Sequence, residues 1–378
     1  MLDDPLSRRG FLGAVGLGAL QTACAPTAPS QSATGAPGQV KAEWELEWDR
    51  VATAAKTEGK LVVHTLVGDG YKKTVATFQD AFPEIAVEHT TIFARDLAPR
   101  MIQERRAGVY AWDVITPPGT TGFGSLFPEK VFDPIRDVIF RPDVLGDQYW
   151  QGGFEYGFQD TEKKYAFGFG WNLEGGFWVN TDQVKEGDIK TAADLLEPRW
   201  KGKIAIADPQ SGGASAVPLT VAALKHGDDY VRRFFTEQAP VLFREPRQGA
   251  EMLVRGQAAV AIGTTPPVIA DFTSQGLRNH RRILPDDFSY LFQETLWLVN
   301  KAPHPNAAKL FINWLLTKPG QEAYAKGTAL NSRRKDVAPI DQVIFPPEGA
   351  DKRYLDMLRQ DRYEETERVR SITRGLLR

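Results

Sequence analysis

From residue 44 onward, stretches with hydrophobic residues at helical spacing alternate with short hydrophobic runs. These runs predict strands over residues 60–65, 85–89 and 112–116. The neighbouring helices are expected to end at Gly59, Pro83 and Gly108, and the last of them to begin with an N-cap at Asp96. The region therefore predicts strands joined by helices, which is typical of a parallel sheet.

The same alternation returns in the second part of the chain. Predicted strands cover residues 203–207, 241–244, 258–262 and 295–299. Predicted helices include one with Pro218 in its first turn, where proline is tolerated, one that runs through Leu253, and one over residues 307–316. A second series of strands and helices indicates an α/β fold with two lobes, each built on a doubly wound, mainly parallel sheet.

Chain length also predicts two lobes. The chain beyond residue 40 exceeds the roughly 250–300 residues at which single hydrophobic cores stop growing. Residues 1–25 are expected to be a signal peptide, and residues 26–40, rich in Ala, Pro, Ser, Thr and Gly, a disordered linker. The predicted lobes are residues 41–130 with 290–335, and residues 131–289 with 336–378.

The first residues carry the pattern of an export signal. Residues 7–12 read Ser-Arg-Arg-Gly-Phe-Leu, which places Arg8 and Arg9 ahead of a charge-free apolar run that ends at Leu20. The run is about half of the ~20 residues that a membrane-spanning helix needs, so it predicts a twin-arginine-type signal rather than a permanent membrane helix. The mature chain is therefore expected to be periplasmic or otherwise extracytoplasmic.

Cys24 leaves two alternatives for the end of this signal. Residues 20–24, Leu-Gln-Thr-Ala-Cys, are similar to a lipoprotein processing site, in which the cysteine is lipidated and anchors the protein to the membrane. Ala23-Cys24-Ala25 also fits the small-residue site of ordinary signal peptidase, which would remove the cysteine. Because Cys24 is the only cysteine, an intramolecular disulfide is excluded.

Composition and motifs exclude several classes of function. The 46 basic and 48 acidic residues are nearly balanced, so no basic surface for nucleic acid is expected. The five histidines lack the spacing of an H-E-x-x-H zinc site, and no G-x-S-x-G sequence occurs. We therefore expect a protein that is not an enzyme and that needs no cofactor. The alternative is an exported hydrolase that uses Asp208 as an acid.

Four segments, taken in order, resemble bacterial extracellular solute-binding proteins of ABC importers. They are residues 44–65, 104–114, 256–263 and 307–322, and the resemblance covers nearly all of residues 43–336. The branch that they look most like contains the ferric-ion, thiamine, polyamine and phosphonate receptors. The resemblance implies a two-lobed, type II periplasmic-binding-protein fold whose lobes close over a small solute, with a membrane permease as the partner.

The same resemblance indicates which loops would have to supply the ligands of a ferric ion. Iron receptors of this branch use adjacent tyrosines, but the similar loop here, residues 263–267, reads Gly-Thr-Thr-Pro-Pro. The loop at their carboxylate position, residues 117–121, reads Pro-Pro-Gly-Thr-Thr. Without phenolate or carboxylate oxygens, the charge of a ferric ion would not be compensated. No metal ligands are predicted, and a ferric-ion receptor is kept as an alternative.

Residues 211–215, Ser-Gly-Gly-Ala-Ser, are the strongest candidate for ligand binding. Glycines let the backbone approach a ligand, and the helix that follows presents free amides that favour an anionic group. Thr264 or Thr265 and Arg247 are expected to complete the shell. Alternatives stay open, because Ser215 also fits a plain helix cap and Arg247 a solvated surface charge.

Loops after parallel strands face the ligand crevice, and they supply the other candidates. Here these are residues 66–70, 91–95 and 117–122. Trp171 and Asn172 are candidates as a stacking platform and an amide, although Trp171 also fits a core position. The predicted ligand-binding residues are Thr65, Asp69, Thr120, Thr121, Trp171, Asn172, Ser211, Gly212, Gly213, Ser215, Arg247, Thr264 and Thr265.

Overall fold

The computed structural model describes residues 41–211 and 213–377. The predicted signal peptide, the predicted linker, Cys24 and Gly212 lie outside the described residues. In the described part of the chain, no helix is both long enough and apolar enough to cross a membrane.

Helices and strands alternate through most of the chain. The helices are α1 (Glu43–Glu58), α2 (Asp69–Ala81), α3 (Ala94–Arg106), α4 (Gly119–Thr121), α5 (Pro142–Leu145), α6 (Gly213–His226), α7 (Asp228–Gln238), α8 (Pro246–Val254), α9 (Pro266–Ser274), α10 (Pro305–Leu316), α11 (Lys318–Thr328), α12 (Ala350–Arg353) and α13 (Tyr363–Leu376). The strands are β1 (Lys60–Thr65), β2 (Ala86–Thr91), β3 (Val114–Ile115), β4 (Phe132–Asp133), β5 (Ala166–Gly168), β6 (Asn172–Gly175), β7 (Phe177–Asn180), β8 (Ile204–Ala207), β9 (Val241–Phe243), β10 (Val260–Ile262), β11 (His280–Ile283), β12 (Ser289–Phe292) and β13 (Thr295–Val299).

The first sheet has the strand order β2-β1-β3-β13-β4, with β5 also paired to β13. Strands β2, β1 and β3 are parallel, so the loops after them emerge at one edge. Strand β13 runs antiparallel to β3, β4 and β5. The hydrophobic faces of α2 and α10 cover this sheet, with Phe78 and Phe311 buried edge to face.

The second sheet has the strand order β11-β7-β10-β8-β9. Strands β10, β8 and β9 are parallel, while β7 pairs antiparallel to β10 and β11. Helices α6 and α7 bury Leu219, Val231 and Phe234 in its core, and Val369 of α13 joins the same cluster. The C-terminal helix therefore belongs to the core of the second sheet.

A two-stranded antiparallel ribbon of β6 and β12 links the sheets. In chain order, β6 lies between β5 of the first sheet and β7 of the second, and β12 lies between β11 and β13. The chain thus crosses from one sheet to the other and back through the ribbon. The result is the predicted α/β fold with two lobes.

Four details differ from the sequence expectations. Phe93 is the N-cap of α3 and Asp96 lies in its first turn, so the predicted cap was wrong. Pro218 lies inside α6, in its second turn rather than its first. In each sheet three neighbouring strands at one end are parallel, and antiparallel strands complete the other end. Strands β4 and β5 pair with the first sheet, beyond the predicted lobe boundary at residue 130.

Candidate functional site

A cleft of about 440 Å³ is lined by loops from both sheets. Strand β12 also contributes to its lining, and so does the C-terminal segment, residues 354–377. Clefts between two lobes are where small-molecule sites concentrate, and this volume is within the usual range of such pockets. We therefore take the cleft as the candidate functional site.

The first-sheet wall carries hydroxyl groups and an aromatic ring. Thr120 and Thr121 follow β3, Ser125 follows on the next turn, and Phe93 lies in the loop after β2. The parallel pairing of β1 with β2 and β3 brings these loops to one edge, as expected from the sequence. Among the predicted site residues, Thr120 and Thr121 therefore line the cleft.

The second-sheet wall is the loop between β8 and α6. Gln210, Ser211, Gly213 and Ala214 line the cleft there. The first amides of α6 have no partner within the helix and carry the positive end of its dipole, which favours an anionic group nearby. Ser211 is exposed, and its hydroxyl donates to the carbonyl oxygen of Asp208 at 2.8 Å, which shapes the loop.

Ser215 lies on the other side of this helix start. Its side chain is 1 % exposed, and its hydroxyl donates to the carbonyl oxygen of Ala207 at 2.6 Å. Ser215 does not line the cleft. The hydroxyl bonds the end of β8 to α6, which fits a structural role rather than the predicted ligand contact.

Arg370 of α13 is the one charged residue among those that line the cleft in the described part of the chain. Its Nη1 donates to Oε1 of Glu367 at 2.6 Å, while its Nε is buried and makes no hydrogen bond. The side chain as a whole is 17 % exposed, so part of it reaches the cleft. No carboxylate is among the lining residues of the described chain.

Aromatic and aliphatic side chains complete the cleft. Tyr290 and Phe292 come from β12, and Leu358 and Tyr363 from the C-terminal segment. Burial raises the pKa of Tyr290 and of Tyr363 above that of a free tyrosine. Both phenols therefore lose a proton less readily than a free tyrosine, which disfavours the phenolate oxygens that ferric ion prefers.

Thr65 and Asp69 lie outside the cleft lining. The buried hydroxyl of Thr65 is 2.8 Å from Nε2 of His89 and faces a separate cavity of about 20 Å³. Asp69 is exposed at the start of α2 and accepts a hydrogen bond from Lys72 at 3.0 Å. The structure therefore does not bring these two predicted residues to the cleft.

Trp171 and Asn172 stabilise the base of the ribbon. Trp171 is 3 % exposed and packs in a hydrophobic cluster with Leu173 and Leu291, against the ring of Tyr156. The side-chain oxygen of Asn172 accepts from the backbone N–H of Asn331 at 2.9 Å. Neither residue lines the cleft, and for Trp171 the alternative of a core position is the one that fits.

The loop after β10 is directed away from the cleft. Thr264 is buried, and its hydroxyl donates to the carbonyl oxygen of Pro246 at 2.9 Å. Thr265 is the N-cap residue of α9 and is not among the lining residues. Arg247 is exposed on α8, with its Nη1 3.6 Å from Oδ2 of Asp271. The structure therefore does not bring these three predicted residues to the cleft.

A buried polar cluster lies in the first lobe behind the cleft. Oε2 of Glu294 accepts hydrogen bonds from the hydroxyls of Tyr71 at 2.9 Å and Tyr324 at 2.8 Å. Burial raises the pKa of Glu294 to about 7, although the hydroxyls of Tyr324, Tyr71 and Thr116 lower it in part. The three residues of this cluster, Tyr71, Glu294 and Tyr324, do not line the cleft.

Sequence reasoning missed the contribution of the C-terminal segment to the cleft. Leu358, Tyr363 and Arg370 follow no strand of the two sheets, so the rule that points to loops after parallel strands could not find them. The amphipathic pattern of α13 predicts that it packs on a core, but not which one. In the described residues, no group of three or more His, Cys, Asp or Glu side chains could hold a metal ion.

Comparison with known sequences identifies a family match. Residues 73–348 match the family described as "Bacterial extracellular solute-binding protein". An uncharacterized protein of Haemophilus influenzae is 27 % identical over 182 residues, which are 46 % of this chain and 51 % of that protein. The chain therefore spans about half the length of this curated relative.

Comparison with solved structures supports the fold. Iron-bound HitA from Pseudomonas aeruginosa is 16 % identical with a TM-score of 0.65, covering 84 % of this chain and 99 % of that one. The substrate-binding protein of an ABC transporter from Agrobacterium tumefaciens is 14 % identical with a TM-score of 0.64, covering 84 % of this chain and 94 % of that one. At these identities the similarity concerns the fold, and the two lobes are those of type II periplasmic binding proteins.

Proposed function

The chain belongs to the family of bacterial extracellular solute-binding proteins, and we propose that it is the receptor of an ABC importer for a small solute with an anionic group. The receptor captures the solute in the cleft and delivers it to the membrane permease. The observation that carries the choice of an anion is the charge of the cleft lining, where Arg370 is not accompanied by any lining carboxylate in the described chain.

The start of α6 supports the same choice. Gly213 and Ala214 place backbone amides at the cleft, opposite the hydroxyls of Thr120 and Thr121. Amides at a helix start and neutral hydroxyls bind anions without a second basic residue. A polyamine would find no counter-charge on these walls, and the raised pKa of Tyr290 and of Tyr363 disfavours ferric ion.

The lobe boundaries are also a proposal. Strand pairing supports a first lobe of residues 42–168 with 295–345, and a second lobe of residues 177–283 with 363–377. The ribbon of β6 and β12 then connects the lobes and acts as the hinge.

A solute screen tests the receptor function. Purified chain is heated with phosphonates, phosphate esters, carboxylates, polyamines, thiamine and metal chelates, because a ligand that binds only the folded state raises Tm. We expect an anion to give the largest shift, and the radius of gyration from small-angle scattering to fall at saturation. Chemical turnover of that anion would contradict a receptor, and an unchanged radius would contradict closure of the lobes.

We also propose export through the twin-arginine signal, with periplasmic location and either lipidation or removal of Cys24. Replacing Arg8 and Arg9 together with lysine keeps the charge but removes the recognition pattern. The precursor is expected to stay in the cytoplasm, as measured by cell fractionation and immunoblotting. The matched control replaces Arg105 and Arg106 in α3 with lysine, which leaves export unchanged. Normal export of the Arg8/Arg9 variant would contradict the proposal.

A further inference from the structure

The segment from Tyr354 to Leu377 forms a third connection between the lobes, after the two strands of the ribbon. The backbone N–H of Leu291 in β12 donates to the carbonyl oxygen of Leu355 at 2.9 Å. The backbone N–H of Gln360 then donates to the carbonyl oxygen of Gln159 at 3.0 Å, in the first lobe. Helix α13 follows and packs on the core of the second sheet. This segment lies beyond residues 73–348, which match the family.

The segment closes one side of the cleft by tight packing. An added Cβ on Gly119 would overlap with the carbonyl oxygen of Leu358, and one on Gly124 would overlap with the ring of Tyr363. The first lobe therefore has glycine where the C-terminal segment approaches most closely. As a consequence, Leu358 and Tyr363 pack directly against the backbone of the first lobe at Gly119 and Gly124.

Helix α13 also holds the loop that starts α6. Nε2 of Gln210 donates to the carbonyl oxygen of Arg370 at 2.9 Å and is 2.8 Å from Oγ1 of Thr373. Nε of Arg374 donates to Oε1 of Gln210 at 3.2 Å. Both polar ends of the Gln210 side chain are thus bound to α13. These bonds therefore fix the position of α13, which carries Arg370, relative to the backbone amides at the start of α6.

Apolar side chains line another part of the cleft, beside the hydroxyls of the first-sheet wall. Phe93, Val217, Phe292, Leu358 and Tyr363 line it, and none of them carries a charge. A bare inorganic anion would bind at Arg370 and the start of α6 and leave these side chains in contact with water. An anion with an aromatic or aliphatic body would bury them, which adds roughly 25 cal/mol for each Å² of apolar surface removed from water.

We propose that the C-terminal segment is part of the ligand site: Arg370 binds the acidic group, and Leu358 and Tyr363 contact an apolar body. The ligand class is a small organic anion, such as a phosphonate, phosphate ester or carboxylate with an aromatic or aliphatic group. The inference rests on the proposed receptor function and adds the substrate class and the residues that select it.

The test measures binding by isothermal titration calorimetry with the full chain and three probes. Phenylphosphonate has the anion and the apolar body, inorganic phosphate has only the anion, and benzylamine has the body with a positive charge. We expect phenylphosphonate to bind at least about tenfold more tightly than phosphate, and benzylamine not to bind at millimolar concentration. The phenyl ring accounts for the expected difference in affinity between phenylphosphonate and phosphate.

The variant Arg370→Gln should weaken phenylphosphonate binding by about tenfold or more, because a charge-assisted hydrogen bond is lost. The matched control is Arg368→Gln, which removes an arginine of the same helix that pairs with Glu365 and does not line the cleft. Its Kd should equal that of the unchanged chain. Melting curves without ligand establish that both variants fold.

Glu367→Gln provides a second test if Arg370→Gln does not fold. It removes the carboxylate that competes for the Arg370 guanidinium, so phenylphosphonate should bind severalfold more tightly. A Kd that is unchanged or weaker in Glu367→Gln, or unchanged in Arg370→Gln, overturns the assignment of Arg370 and leaves the receptor function standing.

The probes separate the remaining outcomes. If phosphate binds as tightly as phenylphosphonate, the proposal that the ligand has an apolar body is wrong. Benzylamine that binds more tightly than both anions overturns the anionic class here and in the proposed function. If none of the three probes binds at millimolar concentration, the ligand class is overturned, while the receptor function is decided by the separate solute screen.

Discussion

The two lobes use buried polar side chains in opposite ways. In the first lobe, Glu294 shares one carboxylate oxygen between Tyr71 and Tyr324, and the three side chains are sealed away from the cleft. At the second lobe, the Arg370 side chain is 17 % exposed, lines the cleft, and has one N–H without an acceptor. The two groups differ in access: Glu294 contacts only groups inside the first lobe, whereas part of the Arg370 side chain reaches the cleft, where a ligand can contact it.

The pH dependence of stability is the sharpest test of the role of Glu294, with the largest expected effect. The carboxyl has a pKa of about 7 in the folded chain, against 4.5 for a solvated glutamate in the unfolded chain. Below 4.5 it is protonated in both states. Between 4.5 and 7 only the unfolded state loses the proton, so the free energy of unfolding falls as pH rises. The expected loss is about 3 kcal/mol.

The variant Glu294→Gln should not show this loss, because its amide does not titrate. The measurement is urea unfolding at a series of pH values, with the difference between the two proteins followed across the interval. Subtraction removes the contributions of other groups, including Asp356, whose pKa burial raises to about 6. Ligand affinity should be the same in both proteins at pH 5. A constant difference in the free energy of unfolding across the interval would contradict the raised pKa of Glu294. A lower affinity of the variant would show that the cluster takes part in ligand binding.

Gly119→Ala breaks the contact between the first lobe and the C-terminal segment. The added methyl group overlaps with a backbone carbonyl, which has less freedom to move than a side chain. We expect the free energy of unfolding to fall by about 1–3 kcal/mol and phenylphosphonate affinity to fall with it. The control is Gly375→Ala in α13, where the added methyl group meets no atom and the helix gains stability. If both variants have the same free energy of unfolding and the same affinity for phenylphosphonate, close packing at Gly119 is ruled out.

Ser215→Ala gives the smallest effect and separates stability from binding within one loop. The buried hydroxyl loses its bond to the carbonyl oxygen of Ala207, which costs about 1 kcal/mol of stability. Because this hydroxyl does not reach the cleft, Kd should not change. Ser211→Ala, at the cleft surface, is the comparison and should change stability less. Weaker binding in Ser215→Ala would restore the ligand role expected from the sequence.

The structure brings only some of the predicted site residues to the cleft, because only part of their placement depends on local sequence. Thr120, Thr121, Ser211 and Gly213 line the cleft since each follows a parallel strand or begins a helix at that edge. Thr264 also follows a parallel strand, yet its hydroxyl bonds to Pro246 instead. The rule for strand ends locates a loop but does not determine which way its side chains point, because that depends on the neighbouring helix.

The sequence alone determined the α/β class, the positions of strands such as Lys60–Thr65, and the family, because periodicity and motif order are local properties of the chain. The tertiary structure alone decided that Glu294 meets Tyr71 and Tyr324, and that Arg370 of the last helix reaches the loop at Gln210. These partners are separated by long stretches of sequence. Their contact depends on how the sheets and the C-terminal segment pack, which hydrophobic patterns do not specify.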